Sequence, residues 1–124
     1  MLQLAGGVEN NRKILDTYTS IADRDTTNIE WLLKAGVFID NYIADYSVAL
    51  SYYQKALSSA LEQYGEKNPD MALSYNNIGT VYDSQGDYDK ALEYFQKAPN
   101  IWLEVGEEHP YVMGVKNAIE FIKK

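Results

Sequence analysis

The chain has 124 residues, 46% of them hydrophobic, enough to bury the core of one domain without a metal or disulfides as staples. Cysteine is absent, which excludes a disulfide framework and a thiolate metal site. Eleven Lys and Arg against eighteen Asp and Glu leave a net charge of −7, a field that argues against nucleic-acid and membrane-surface partners and favours basic or apolar ones.

The opening stretch MLQLAGGVENNRK has no basic segment ahead of an apolar run, and nothing in the chain approaches the ~20 apolar residues that span a bilayer. These features point to a cytosolic protein. Hydrophobic spacing predicts six helices, over 9–23, 28–42, 45–64, 69–84, 87–105 and 110–123. Ahead of the second, Thr27 and Glu30 have capping-box spacing. Pro69 and Pro110, preceded by Asn68 and His109, suit the first turn of the fourth and sixth helices. In the fourth, Ala72, Tyr75, Ile78, Gly79 and Tyr82 form an apolar stripe. Gly86 suits a left-handed helix end, after which Asp87 caps the fifth helix. Inside that helix stands Pro99, which removes a backbone hydrogen bond at a cost of about 3 kcal/mol and predicts a kink or break near Ala98.

The chain also repeats itself. Asp45, Tyr46, Ala49-Leu50 and Gln54-Lys55-Ala56 return 42 residues later as Asp87, Tyr88, Ala91-Leu92 and Gln96-Lys97-Ala98, while Pro69 returns after 41 as Pro110. The stretch ENNRKILDTY aligns weakly with the third helix, and YVMGVKNAIEFIKK aligns with DMALSYNNIGTVYD, placing Asn117 under Asn76. Ala35-Gly36 stands roughly where the second unit has Ile78-Gly79, but the following DNYIAD does not keep the register. A period of this length means stacked helical units in a single domain. The expected layout is a degenerate helix of a partial repeat over 1–25, repeats over 26–67 and 68–109, and the helix of a further partial repeat over 110–124.

The pattern Tyr75-x2-Ile78-Gly79-x2-Tyr82 followed by Ala91-x3-Phe95 resembles the tetratricopeptide repeat signature. The YNNIG core and GEEHP linker are most similar to the repeats of kinesin light chain and nephrocystin-type proteins. The resemblance implies an all-α solenoid of antiparallel helix pairs, about six helices in all. It further implies a concave face, lined by the first helix of each pair, whose asparagines hydrogen-bond the backbone of a bound peptide.

With Tyr75, Ile78 and Tyr82 against the neighbouring helix, a 100° step turns Leu73, Asn77, Thr80 and Ser84 to the opposite side, with Asn76 and Asp83 on its flank. A side-chain amide both donates and accepts, so it pairs with any peptide unit. The candidate groove is therefore Leu73, Asn76, Asn77, Thr80, Asp83 and Asn117, with Lys34, matched to Asn76, interrupting the row as a cation. The plainer reading is that the asparagines satisfy nearby loops or face water.

Other features read as structural. The lone His109 is a cap before Pro110, DSQGDYD is an interhelix turn that lacks the closing Glu of a calcium loop, and Trp31 and Trp102 pack between helices. Glu62, Glu66, Glu104, Glu107 and Glu108 form a solvated rim. No phosphate loop, nucleophile elbow or HExxH pair appears, so the reading is not an enzyme, with no cofactor and no metal. The leading function is a module that binds a peptide of a partner protein. The alternatives are a scaffold that self-assembles into a homo-oligomer, end to end or by exchange of a terminal helix, burying Val112, Val115, Ile119 and Ile122, or a piece of a longer solenoid.

Overall fold

The computed structural model of the protein describes residues 5–104 and 120–122. Within them the chain forms α1 (Ala5–Arg24), α2 (Ile29–Phe38) continued by a π-helical turn (Ile39–Ile43), α3 (Tyr46–Tyr64), α4 (Pro69–Ser84) and α5 (Tyr88–Glu104). Each helix packs on the next in sequence, and α2 also touches α4. This is the all-α stack of antiparallel helix pairs in which each unit is stabilised mainly by its neighbours.

Side-chain caps fix most of the boundaries. The Asn68 carboxamide accepts from the Met71 N–H at 3.0 Å, with Pro69 in the first turn of α4 where a missing N–H does no harm. Asp45 and Asp87 accept from Val48 and Lys90 at the starts of α3 and α5. At the end of α4 the Gly86 N–H reaches Asp83 O at 3.0 Å and the Asp87 N–H reaches Tyr82 O at 2.9 Å, the two bonds of a Schellman motif, with Gly86 at φ 81°. At the start of α2 the capping residue is Asn28, which accepts from Trp31 N at 3.3 Å, and not Thr27. Thr27 is turned away because its hydroxyl and its N–H both donate to Asp25.

Two glycines set the spacing of the pairs. A Cβ on Gly36 would lie 2.5 Å from the Tyr53 ring, and one on Gly79 would lie 2.6 Å from the Phe95 ring. Gly36 and Gly79 are therefore equivalent, as are Tyr53 and Phe95, and the first pair is separated by one residue more than the second. That extra residue lies between Gly36 and Asp45, where the π-helical turn absorbs it: the Ala44 N–H closes a wide turn on Ile39 O at 2.7 Å. This is the physical cause of the register lost at DNYIAD.

Ala44 consequently takes the place of Gly86 before a capping aspartate, at φ 60°. A side chain in the left-handed region costs roughly 1–2 kcal/mol, partly offset by the smaller entropy loss of alanine on folding. The Ala44→Gly variant is expected to be more stable by about 0.5–1 kcal/mol. A urea midpoint that fails to rise would show that this turn carries no strain.

The core runs through Leu32, Tyr53, Ile39, Ile78 and Val81, each no more than 2% exposed. The Tyr52 hydroxyl donates to Asp23 at 2.8 Å and ties α1 to α3. Between α4 and α5, Tyr82 stacks on Tyr94 at 5.6 Å, and the Lys97 ammonium lies over both Tyr75 and Tyr94. Trp31 packs edge-on to Tyr18 at 5.4 Å.

Of the kink or break expected near Ala98, the break is absent, since α5 is helical on both sides of Pro99 to Glu104. Pro99 is buried beside Ala98, which packs with Ala72, Tyr75 and Ile101. Burial of that face holds the helix together despite the hydrogen bond that proline removes. Of the expected apolar face of the last helix, Ile122 packs against Ala91 and Phe95; Val112, Val115 and Ile119 lie outside the described residues, as do His109 and Pro110.

Candidate functional site

Consecutive helices alternate in direction, so α2 and α4 run the same way with α3 behind them. Between them lies an open cleft of ≈ 940 Å³. On α2 its wall is Ile29, Glu30, Leu33, Lys34, Val37 and Phe38, and on α4 it is Asp70, Leu73 and Asn77. Each set recurs at three- and four-residue steps, so each is one stripe of its helix. Tyr18 of α1, Asn41 and Tyr42 of the π-helical turn, Gln63 and Tyr64 at the end of α3, and the loop residues Asp25, Thr27 and Asn28 complete it.

The two ends of the cleft differ in chemistry. Toward the C-terminal end of α2, Tyr18 meets Phe38 edge-on at 5.6 Å and Phe38 meets Tyr42 at 5.0 Å, with Tyr42 64% exposed and Val37 37% exposed. At the N-terminal ends of α2 and α4 stand the carboxylates of Asp25, Glu30 and Asp70. Burial pushes the Asp70 carboxyl above its ordinary value. The Thr27 hydroxyl and then its N–H hold Asp25 below it. Gln63 braces this end by donating to Thr27 O at 2.7 Å and to the Ser59 hydroxyl at 2.8 Å.

Of the residues singled out in the sequence, Leu73, Asn77 and Lys34 come together on this cleft. The glycine equivalence sets Lys34 level with Asn77 and not with Asn76, because the inserted residue moves the register by one. Lys34 reaches Glu30 at 3.9 Å and lies 4.7 Å above the Trp31 ring. Asn76, Thr80 and Asp83 are not among the lining residues. The Thr80 hydroxyl is engaged on its own helix, donating to Asn76 O at 3.0 Å, and Asp83 is exposed at the helix end. Asn117 lies outside the described residues. Among the described residues neither the Asn76 nor the Asn77 amide takes a hydrogen-bond partner.

Sequence reasoning missed the aromatic end and the acidic end. The signal was available in the i, i+3, i+7 run of Asp70, Leu73 and Asn77 and in a run of the same spacing on α2, Glu30, Leu33 and Val37. Among the described residues no cluster of three His, Asp or Glu side chains converges to hold a metal ion, and no helix is long and apolar enough to cross a membrane.

The family model described as tetratricopeptide repeat matches residues 38–111, more than half of the chain. The protein belongs to the tetratricopeptide repeat family. Such repeats are protein-interaction modules, generally without catalysis. Among similar proteins is tetratricopeptide repeat protein 19, mitochondrial, from Mus musculus, 28% identical over 113 residues that cover 86% of this chain. The human protein of the same name is 25% identical over 109 residues, 83% of this chain. Clustered mitochondria protein homolog from Homo sapiens is 26% identical over 82 residues, 65% of this chain and 6% of its own length. The chain spans 29% of the length of the Mus musculus relative and 27% of the human one.

These relatives correct the cytosolic expectation, because the names of the first two place them in mitochondria. The lack of cysteine does not discriminate between the compartments.

Proposed function

We propose that the chain is a non-catalytic interaction module that holds a peptide segment of a partner protein in the cleft between α2 and α4. The observation that carries this reading is the cleft itself, with the Asn77 amide on its wall. A peptide backbone brings both donors and acceptors, and a carboxamide pairs with either while the apolar lining supplies selectivity. The repeat layout over 26–67 and 68–109, with partial units on either side, belongs to the same reading, as does an association with mitochondria drawn from the names of the relatives.

The test compares Asn77→Ala, Asn76→Ala and the double variant against peptides selected from a display library on the unmodified protein. Loss of an amide-to-backbone pair is expected to weaken binding about tenfold, with most of the loss in Asn77→Ala and with unchanged helicity by circular dichroism. Equal loss of helicity and binding, or peptides indifferent to both asparagines, would set this reading aside.

A further inference from the structure

The cleft carries more negative charge than its own cations balance. Of its three carboxylates, Glu30 has Lys34 at 3.9 Å, and that same ammonium is held over Trp31. Among the described residues Asp70 has no cation partner, and Asp25 is bound only by the uncharged Thr27. The side-chain caps of α2 and α4 are Asn28 and Asn68, each accepting one first-turn amide, so these carboxylates are not the caps. The surplus is confined to one end. At the other end the lining, apart from Asn41, is aromatic and aliphatic, with Val37 and Tyr42 substantially exposed.

Two carboxylates without cations attract a cation, and one of them is partly buried, where a charge pair is screened less than at an open surface. Exposed aromatic and aliphatic side chains at the far end gain by covering themselves with an apolar group. The chain's net charge of −7 adds a long-range field of the same sign as the acidic end.

We infer that the partner segment carries a Lys or Arg that meets Asp70 and Asp25 and, some residues away along the segment, an apolar or aromatic side chain that lies against Val37, Phe38 and Tyr42. This rests on the cleft being a peptide site. It adds the chemistry of the ligand and its direction, because the basic residue sits at the N-terminal ends of α2 and α4 and the apolar residue sits toward the C-terminal end of α2.

The test uses a random dodecamer display library on the whole protein, followed by synthesis of the most enriched peptide. The expected result is enrichment of peptides that pair a Lys or Arg with an aromatic or aliphatic residue. Asp70→Asn should weaken the synthesised peptide about three- to tenfold and flatten its salt dependence, while Tyr42→Ala should weaken it without changing that dependence. Salt dependence on the unmodified protein is a separate readout that needs no variant to fold: affinity should fall steadily between about 0.05 and 0.5 M salt. Enriched peptides that depend on Asn77 but lack basic residues, or bind independently of salt, would overturn this inference and leave the peptide site standing. A library that enriches nothing, or only peptides indifferent to Asn77 and Tyr42, would remove the peptide site and this inference with it.

Discussion

Gly79→Val is expected to destabilise the protein by about 3 kcal/mol. The Cβ it introduces falls 2.6 and 2.7 Å from two carbons of the Phe95 ring and 3.2 Å from the carbonyl of Ala91. Phe95 is 4% exposed, so its ring has nowhere to turn, and the carbonyl belongs to the backbone of α5. Relief requires α4 and α5 to move apart, which opens the stacked contact of Tyr82 with Tyr94. Valine gains only a few tenths of a kcal/mol in helix propensity over glycine, too little to offset this. Shrinking the ring in the same chain, Gly79→Val with Phe95→Ala, should cost less than the sum of the two single changes, since each removes part of the other's clash or cavity. Urea denaturation reads all three. A Gly79→Val midpoint equal to that of the unmodified protein would mean that the helices do not approach so closely.

Tyr53→Ala should cost about 4 kcal/mol, while Tyr53→Phe should cost less than 1. The ring is 1% exposed and fills the space that Gly36 leaves open, so its removal leaves a cavity between α2 and α3 that the backbone cannot close. The hydroxyl matters less. Burial, and then the Asp40 carboxylate, keep the phenol protonated far above its usual range, and it contributes no hydrogen bond among the described residues. Against a typical domain stability of ~5–15 kcal/mol, the alanine variant should be close to unfolding at 37 °C, and the phenylalanine variant should melt near the unmodified protein. Two variants that fall together would move the weight of this contact from the ring to the hydroxyl.

Most of the helical frame was legible because its signals are local. Asn68-Pro69 and Gly86-Asp87 announce their helix boundaries within a few residues, and the structure places these caps where the spacing put them. The failures were non-local. Thr27 and Asn28 are both good capping residues, and the choice between them was settled by Asp25, which draws Thr27 away. A break at Pro99 follows from propensity alone, and the packing of Ala98 against α4, with Pro99 itself buried, overrode it. Whether the inserted residue of the first repeat would lie in the loop or in the helix depended on Gly36 meeting Tyr53, a contact between positions 17 residues apart.

The cleft was less legible than the frame. A helical wheel drawn for α4 alone names the side opposite its apolar stripe, and from that side Leu73 and Asn77 line the cleft. It cannot show that Thr80 and Asp83 lie beyond the cleft, nor that Asp70 belongs to it, because those facts depend on how far α2 extends alongside. Phe38 and Tyr42 read as ordinary core and loop residues until α1 is seen to set Tyr18 against Phe38, which in turn meets Tyr42.

The position of Trp31 makes the protein its own optical reporter. Its indole touches Tyr18 and lies beneath the Lys34 ammonium, and both neighbours line the cleft. A bound segment that displaces either one changes the polarity around the indole and so its emission wavelength. With Trp102, the other tryptophan of the chain, replaced by phenylalanine, a single emitter remains, and occupancy can be followed by titration without attaching a dye to either partner.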